Sequence, residues 1–404
     1  MPRVRQRAFM SLQRLCIENV CQNMDEVWSK HFLDYFYKKS HCKFIIGPFD
    51  SIIPSLSQEI FVSLKERKQL RRHHIYLLIS IYHKLLDFSG CEADLNLMLQ
   101  ITLERCYKLE QLNISRCMKI PRGILNNLIS TVGGTLLKIE VSSSNIGDDF
   151  LSVVGVYCPN LRALDVSFTS VSDKGVRTLV LQENLDGSYD ERYGKSTQIA
   201  AFKVQGCQKI TDEGAALVLE KLTNLVIFDY CNTVGAVQLL LKEKNEPKLQ
   251  LTFITCCNEN TQDDDLCTNI LVNRTAENVY ITTFPTLSEV PFYSLLELEA
   301  LKELHISNDM ELNAIHFKNY CTPLLQRFGD TLTTLHLGQL EYISIQQIRD
   351  ECTKLQELSL LWNLNYIEEE NEPRYTYFPS LHTAKIFSVD IDLGTVRTKL
   401  SRLF

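Results

Sequence analysis

No stretch of this 404-residue chain holds the roughly eighteen consecutive apolar residues that a membrane-crossing helix needs. The first twenty residues carry basic side chains but no apolar core of the kind a secretion signal requires. Basic charge is not in excess: 42 Lys and Arg against 49 Asp and Glu give a net charge of -7, which offers a nucleic-acid role no support. The glycine loops that cradle phosphates and the His-Glu-x-x-His and Gly-x-Ser-x-Gly signatures are all missing, so an enzyme is not expected. These absences point to a cytoplasmic or nuclear protein without membrane or nucleic-acid partners, cofactor or metal.

What the chain does have is one phrase, repeated. Leu109-x-x-Leu112-x-Ile114 returns at Leu161-x-x-Leu164-x-Val166, Leu301-x-x-Leu304-x-Ile306 and Leu355-x-x-Leu358-x-Leu360. Weaker copies start at Leu136, Ile199, Leu225, Leu332 and Leu381, and two degenerate strands are expected at Leu251/Phe253 and Val279/Ile281. Apolar residues two apart make a strand face, and the stretch that follows can return as a helix. The steps run mostly from about 23 to 31 residues, the period of a leucine-rich repeat. The expected fold is α/β: a leucine-rich-repeat solenoid over 81–404, with a curved parallel sheet and helices on its convex side, preceded by a small helical module over 1–80. One step of about 38 residues leaves Gln182 to Thr197 as a polar loop carried outside the repeats.

Disulfides are rare in reducing compartments, so the 14 cysteines need another role. Cys106, Cys158, Cys321 and Cys352 precede a strand anchor by two or three residues, and Cys117 and Cys207 follow a strand at its bend. Both are buried positions, where a thiol packs as a small hydrophobe, and no pair has zinc-ligand spacing. The phrase from Cys106 to Cys117 and the segment Cys207-x-x-Ile210-Thr-Asp-Glu-Gly214 resemble the cysteine-containing leucine-rich repeats of F-box receptors. Ser172 and Thr211 are placed to cap helices, with Asp173 and Asp212 in the first turns.

Alternation along each strand assigns Asn113, Asp165, Lys203, Asp229, His305, His336, Ser359 and Lys385 to the concave face. Of these, Asp165, Lys203, His305 and His336 are the candidate substrate-binding row, and the two histidines make a carboxylate-bearing ligand conceivable. His73-His74, beside Arg71-Arg72, reads as a solvated helix face. The acidic runs at Asp263 and Glu368 read as inter-repeat loops, and the sequons at Asn113 and Asn273 read as coincidental.

The N-terminal segment has apolar residues at Leu12, Leu15, Cys16 and Val20, one stripe of a helix suited to a partner groove. Its Ser-Leu-x-x-x-Cys-x-x-x-Val pattern resembles the BC-box by which VHL-box and SOCS-box receptors bind elongin C. That resemblance implies an elongin B/C partner, with Leu12 as deep anchor, Cys16 and Val20 as further contacts and Leu15 on the same stripe. Ile53-Pro54-x-Leu56, with Ile60 one turn on, resembles the box that recruits a cullin-2-type scaffold. Together with the repeats the order is similar to ZYG/ZER-type receptors, without the armadillo-like part. The expectation is a substrate-recognition subunit of a cullin-RING ubiquitin ligase; the alternatives are an F-box-like adaptor, or a leucine-rich-repeat scaffold outside the ubiquitin pathway.

Overall fold

The computed structural model describes residues 11–37, 48–91, 95–183, 189–194, 198–243, 249–283, 287–308, 315–366 and 378–387. Its contacts divide the chain into two compact units, one of Met1–Ile199 with Cys207–Lys209 and one of Ala200–Gly206 with Ile210–Phe404. The division falls within the repeats rather than at residue 80. The helices Leu12–Gln22 and Pro54–Glu66 therefore belong to the same unit as the first repeats.

In the first unit, β1 (Leu85–Asp87), β2 (Gln111–Asn113), β3 (Lys138–Glu140) and β4 (Ala163–Asp165) pair in parallel, each with the next. The repeated phrase explains the packing. Its first, second and third apolar residues are all buried, as with Leu109, Leu112 and Ile114, and each contributes about 1.5–3 kcal/mol by leaving water. Helices Leu95–Arg105, Arg122–Val132, Asp148–Tyr157 and Asp173–Val180 alternate with the strands. At Gly155 an added Cβ would lie 2.7 Å from the carbonyl oxygen of Thr178 on the next helix, so that crossing requires glycine. A further rung, not recognised from sequence, precedes the first full phrase: His83, Leu86 and Phe88 are buried in its three places.

In seven rungs the chain leaves its strand through a turn with one left-handed residue, seven places after the first residue of the phrase. Gly90 and Gly206 fill this place, but so do Arg116, Ser143 and Phe168 in the first unit, and Gln339 and Trp362 in the second. The left-handed region costs an L side chain roughly 1 kcal/mol, which the surrounding ladder must offset. The expected loop after residue 181 holds more order than its composition implied: β5 (Leu181–Glu183) and β6 (Tyr189–Gly194) form an antiparallel pair.

In the second unit, β7 (Ala201–Lys203) pairs with β8 (Ile227–Asp229). A parallel sheet follows in the order β9 (Phe253–Cys256), β10 (Asn278–Thr283), β11 (Glu303–Asn308), β13 (Thr334–Gly338), β15 (Glu357–Leu361) and β17 (Thr383–Phe387). A second row of strands, β12 (Ile315–His316), β14 (Leu340–Ile343) and β16 (Leu364–Tyr366), forms a sheet the phrase did not announce. The degenerate rungs obey the full pattern once shifted: Leu251, Ile254 and Cys256 are buried, as are Ala276, Val279 and Ile281, and Phe253 turns to the open face. Cysteine thus stands where other rungs put their last aliphatic residue.

The structural cysteines lie where the register placed them. Cys106, Cys117, Cys158, Cys207, Cys321 and Cys352 are all buried free thiols. Several donate to the preceding rung, Cys106 Sγ to Ser80 O (3.4 Å) and Cys207 Sγ to Val166 O (3.2 Å). Burial pushes Cys106, Cys158 and Cys352 up to about 12, so they are held as neutral thiols.

Candidate functional site

The helix Leu12–Gln22 begins at Ser11, whose hydroxyl accepts the Arg14 N–H at 3.3 Å. One side of it is spent inside the protein. Gln13 Nε2 donates to both Glu59 carboxylate oxygens (2.9 and 3.0 Å), Glu18 meets Arg67 at 3.3 Å, and Cys21 is buried with its thiol toward Ile60 O. The other side carries Leu12, 77% exposed, Leu15, 48% exposed, and Cys16, also exposed, with Val20 half-buried at its end. A leucine that open forgoes about 1.5–3 kcal/mol of burial, and here two neighbours three residues apart do so on a helix otherwise held by polar contacts.

The second box divides. Ile53 is 67% exposed just before the helix Pro54–Glu66, and Pro54 and Leu56 are half-buried. Ile60 is only 4% exposed and packs in the core, so its assignment as a cullin contact is corrected to a structural one. The helix runs on from an N-terminal proline, and Ile60, six residues along, has turned inward.

His73 and His74 are likewise not a solvated face. Both are buried, and both Nε2 atoms lie 2.9 Å from Asp25 Oδ1, whose other oxygen meets Arg71 at 3.2 Å. These are the one group of three possible metal ligands among the described residues. Hydrogen bonding argues against a metal there: His74 Nδ1 accepts the Arg71 N–H at 3.2 Å, so the ring proton sits on Nε2, the atom a metal would need bare. Burial leads in holding His74 down to about 4. For Asp25, burial pushes upward, but the hydrogen bonds from His73 and His74 outweigh it and hold the carboxyl below its ordinary value. The cluster ties the turn Met24–Trp28 to the helix Arg72–Leu78.

The proposed substrate row separates by unit. Asp165 Oδ1 accepts the Ser167 N–H at 2.9 Å, as Asn113 does from Ser115 and Asp87 from Ser89, so all three close the turn after a strand. At least one oxygen of Asp165 is therefore committed to its own backbone. Lys203 is exposed on β7, directly beside Asp229 of β8. His305 and His336 pair across β11 and β13, and their rings stack at 4.0 Å. Tyr280 extends the stack, 4.2 Å from His305, and Phe253 lies 6.0 Å beyond Tyr280. Sequence reading missed these two rings, although Tyr280 stands one place before the last residue of a repeat phrase, where the outward residue belongs.

The electrostatics of the stack correct the expected ligand. Burial, with the neighbouring His336, holds His305 down to about 3, and burial also lowers His336. Neither ring brings positive charge at neutral pH. Tyr280 donates to Glu303 Oε2 at 2.6 Å, and burial followed by that bond pushes its phenol up. His305 Nε2 is sealed from water without a hydrogen-bond partner. The surface is aromatic and uncharged along the stack, with Glu303 at its side, and is not suited to a carboxylate. Ser359, placed on the same row, is buried.

Of the two sequon asparagines, Asn113 accepts the Ser115 N–H at 3.0 Å through Oδ1 and Asn273 is fully buried. Asp263–Asp265 start the helix Asp263–Val272 rather than forming a loop; Asp265 accepts the Gln262 N–H at 3.0 Å and Asp263 the Ser288 N–H at 2.8 Å. The Glu368 run lies outside the described residues.

The class these rungs define is the α/β leucine-rich-repeat solenoid, and a leucine-rich-repeat family model matches residues 157–180, from the end of one helix through β4 to the end of the next. No curated protein sequence matches the chain. Among solved structures, the Rad7 and Elc1 complex in yeast is similar at 15% identity, over 93% of this chain and 98% of that one, with a TM-score of 0.44. An internalin from Listeria monocytogenes is similar at 14% identity, over 84% and 97%, with a TM-score of 0.40. The TLR13–ssRNA13 complex is similar at 12% identity, over 75% and 46%, with a TM-score of 0.39. Scores of this size carry no argument about ligands or partners. No helix among the described residues is long and apolar enough to cross a membrane.

Proposed function

We propose that this chain is a non-catalytic substrate receptor of a cullin-RING ubiquitin ligase, acting in the cytoplasm or nucleus. Residues 1–80 serve as the adaptor module: Leu12, Leu15, Cys16 and Val20 dock elongin C of an elongin B/C pair, and Ile53, Pro54 and Leu56 meet a cullin-2-type scaffold. The repeats hold a protein substrate, and the ring stack Tyr280–His305–His336 is the part of their open face best fitted to grip one. The observation that carries the reading is the outward stripe of Leu12, Leu15 and Cys16 on a helix whose opposite side is fastened by Gln13, Glu18 and Cys21. Such a stripe is preorganised, so a partner groove gains the burial without ordering the helix first.

Leu12→Ala with Cys16→Ala is the direct test, since both positions are exposed and the fold should survive. Each truncation at a central anchor costs on the order of 1–4 kcal/mol of binding. Pull-down of elongin C by the wild type and its loss in the double variant, at unchanged circular dichroism, supports the proposal. Equal elongin C binding by both proteins would show that the BC-box assignment is wrong, and binding by neither leaves a leucine-rich-repeat scaffold with no ubiquitin role.

A further inference from the structure

The inner rungs of the first unit each offer two backbone carbonyls to the rung before them. Asn113 O and Ser115 O accept the Phe88 and Gly90 N–H at 2.7 Å, and Glu140 O and Ser142 O accept those of Ile114 and Arg116 at 2.8 Å. Asp165 O and Ser167 O do the same for Val141 and Ser143, also at 2.8 Å. In the first rung the residues in these two places are Asp87 and Ser89, and among the described residues no strand pairs with β1 on that side. Side chains fill the gap. Gln58 Nε2 donates to Asp87 O at 2.9 Å, and Lys65 Nζ donates to Ser89 O at 2.6 Å. Both come from the helix Pro54–Glu66, and seven residues bring a helix back to the same face after two turns. Between them Phe61, buried, sets its ring 5.5 Å from that of Phe88, the last buried residue of the first rung. A carbonyl covered by a helix needs a donor, and an uncovered sheet edge is a template for a foreign strand. The helix answers both needs at once.

We infer that the helix Pro54–Glu66 is the cap of the repeats, a rung made of side chains in which Gln58 and Lys65 stand for two backbone N–H groups, and that it relays the state of the helix Leu12–Gln22 to β1. The relay follows from what the cap holds elsewhere on its surface. Glu59 accepts from Gln13, Arg67 just past its end meets Glu18, and Ile60 O faces the Cys21 thiol. A partner that steadies or loosens the outward stripe of the helix Leu12–Gln22 therefore acts on the first rung through the cap. The inference holds whichever partner docks there, elongin C or another, and its test needs none.

The test is amide hydrogen exchange of the full chain, read by mass spectrometry on peptides that cover β1, with β10 of the second unit as reference. Gln58→Glu keeps the shape of the side chain but sets a carboxylate against the Asp87 carbonyl, and Lys65→Met keeps the length but removes the donor. Each should speed exchange at β1 on the order of tenfold and leave β10 unchanged. Lys65→Arg, which keeps a donor, should stay near the wild type. Unchanged exchange at β1 in Gln58→Glu and Lys65→Met, equal speeding by Lys65→Met and Lys65→Arg, or speeding spread evenly over both units would each overturn the cap. For the relay, Gln13→Ala with Glu18→Ala should speed β1 about two- to fivefold, the factor of a weak surface pair. Faster exchange of the helix Leu12–Gln22 in that variant with β1 unmoved would overturn the relay and leave the cap standing.

Discussion

The two compact units use one repeat to opposite ends. In the first, the strands β1 to β4 are three residues long, and in three of them the polar residue that closes the strand is turned back on the chain: Asp87, Asn113 and Asp165 accept the N–H two places on. In the second, β10 and β11 run to six residues, and the central outward side chains, Tyr280 and His305, are rings in contact at 4.2 Å. One His305 nitrogen there has no partner. A polar group spent on its own backbone has little left for a ligand, whereas a sealed, unsatisfied nitrogen is a cost that stability alone does not explain. On the proposed reading the substrate is gripped in the second unit, although the repeat phrase is most regular in the first.

That contrast can be broken at the helix crossings, where the largest effect is expected. Gly155→Val forces a side chain against the Thr178 carbonyl and should cost about 1–3 kcal/mol in urea unfolding. Gly338→Ala, in the second unit, meets nothing nearer than Ser307 Cβ at 3.3 Å and should cost far less. Equal costs would mean the two units are packed alike.

Acid should come next. Folded His74 sits at about 4 and His305 at about 3, both below the ordinary 6.5. The unfolded chain thus takes up protons near 6.5 that the folded protein refuses until about 4 or below. The stability in question is complete above 6.5 and is lost as pH falls through the window beneath it. The loss by pH 5 is on the order of 1–2 kcal/mol for each histidine, read as urea midpoints at pH 7 and 5. His305→Phe should flatten that slope; a slope identical to wild type would show that the ring is already charged.

Asp165→Ala should cost about 1 kcal/mol, the worth of its turn hydrogen bond, with substrate capture unchanged. His305→Phe should move stability at pH 7 by less than about 0.5 kcal/mol, because it removes a nitrogen that bonds to nothing. Substrate capture should nevertheless fall, and a loss of capture in Asp165→Ala instead would return the binding face to the first unit.

The parts of this fold legible in the sequence are those set by local period. Leucines at fixed spacing gave the strands, and cysteines at fixed offsets gave buried thiols, because a strand decides which side chains turn inward within a few residues. What escaped depends on distance along the chain. Asp25 meets His73 and His74 across almost fifty residues, so no local pattern marks the three as one cluster. The stack Tyr280–His305–His336 spans three rungs, and Tyr280 could be read only once the rung around Val279 had its register. The row β12, β14 and β16 lies in short segments with no period of their own. For the helix Leu12–Gln22, the stripe was visible but not its exposure, since an amphipathic pattern looks the same whether the protein or a partner covers it.

The acidic residue that opens several helices reaches forward to the next rung: Asp148 accepts the Ser172 N–H and hydroxyl, Asp212 the Tyr230 and Asn232 side chains, and Asp263 the Ser288 N–H. A carboxylate placed this way couples the melting of one rung to its successor, because opening either leaves a charge or a donor without its mate. Within each unit, denaturation should therefore spread as a front from a weak rung instead of beginning independently at many. Amide exchange should show the same thing as long blocks of equal protection, ending where such a carboxylate is missing.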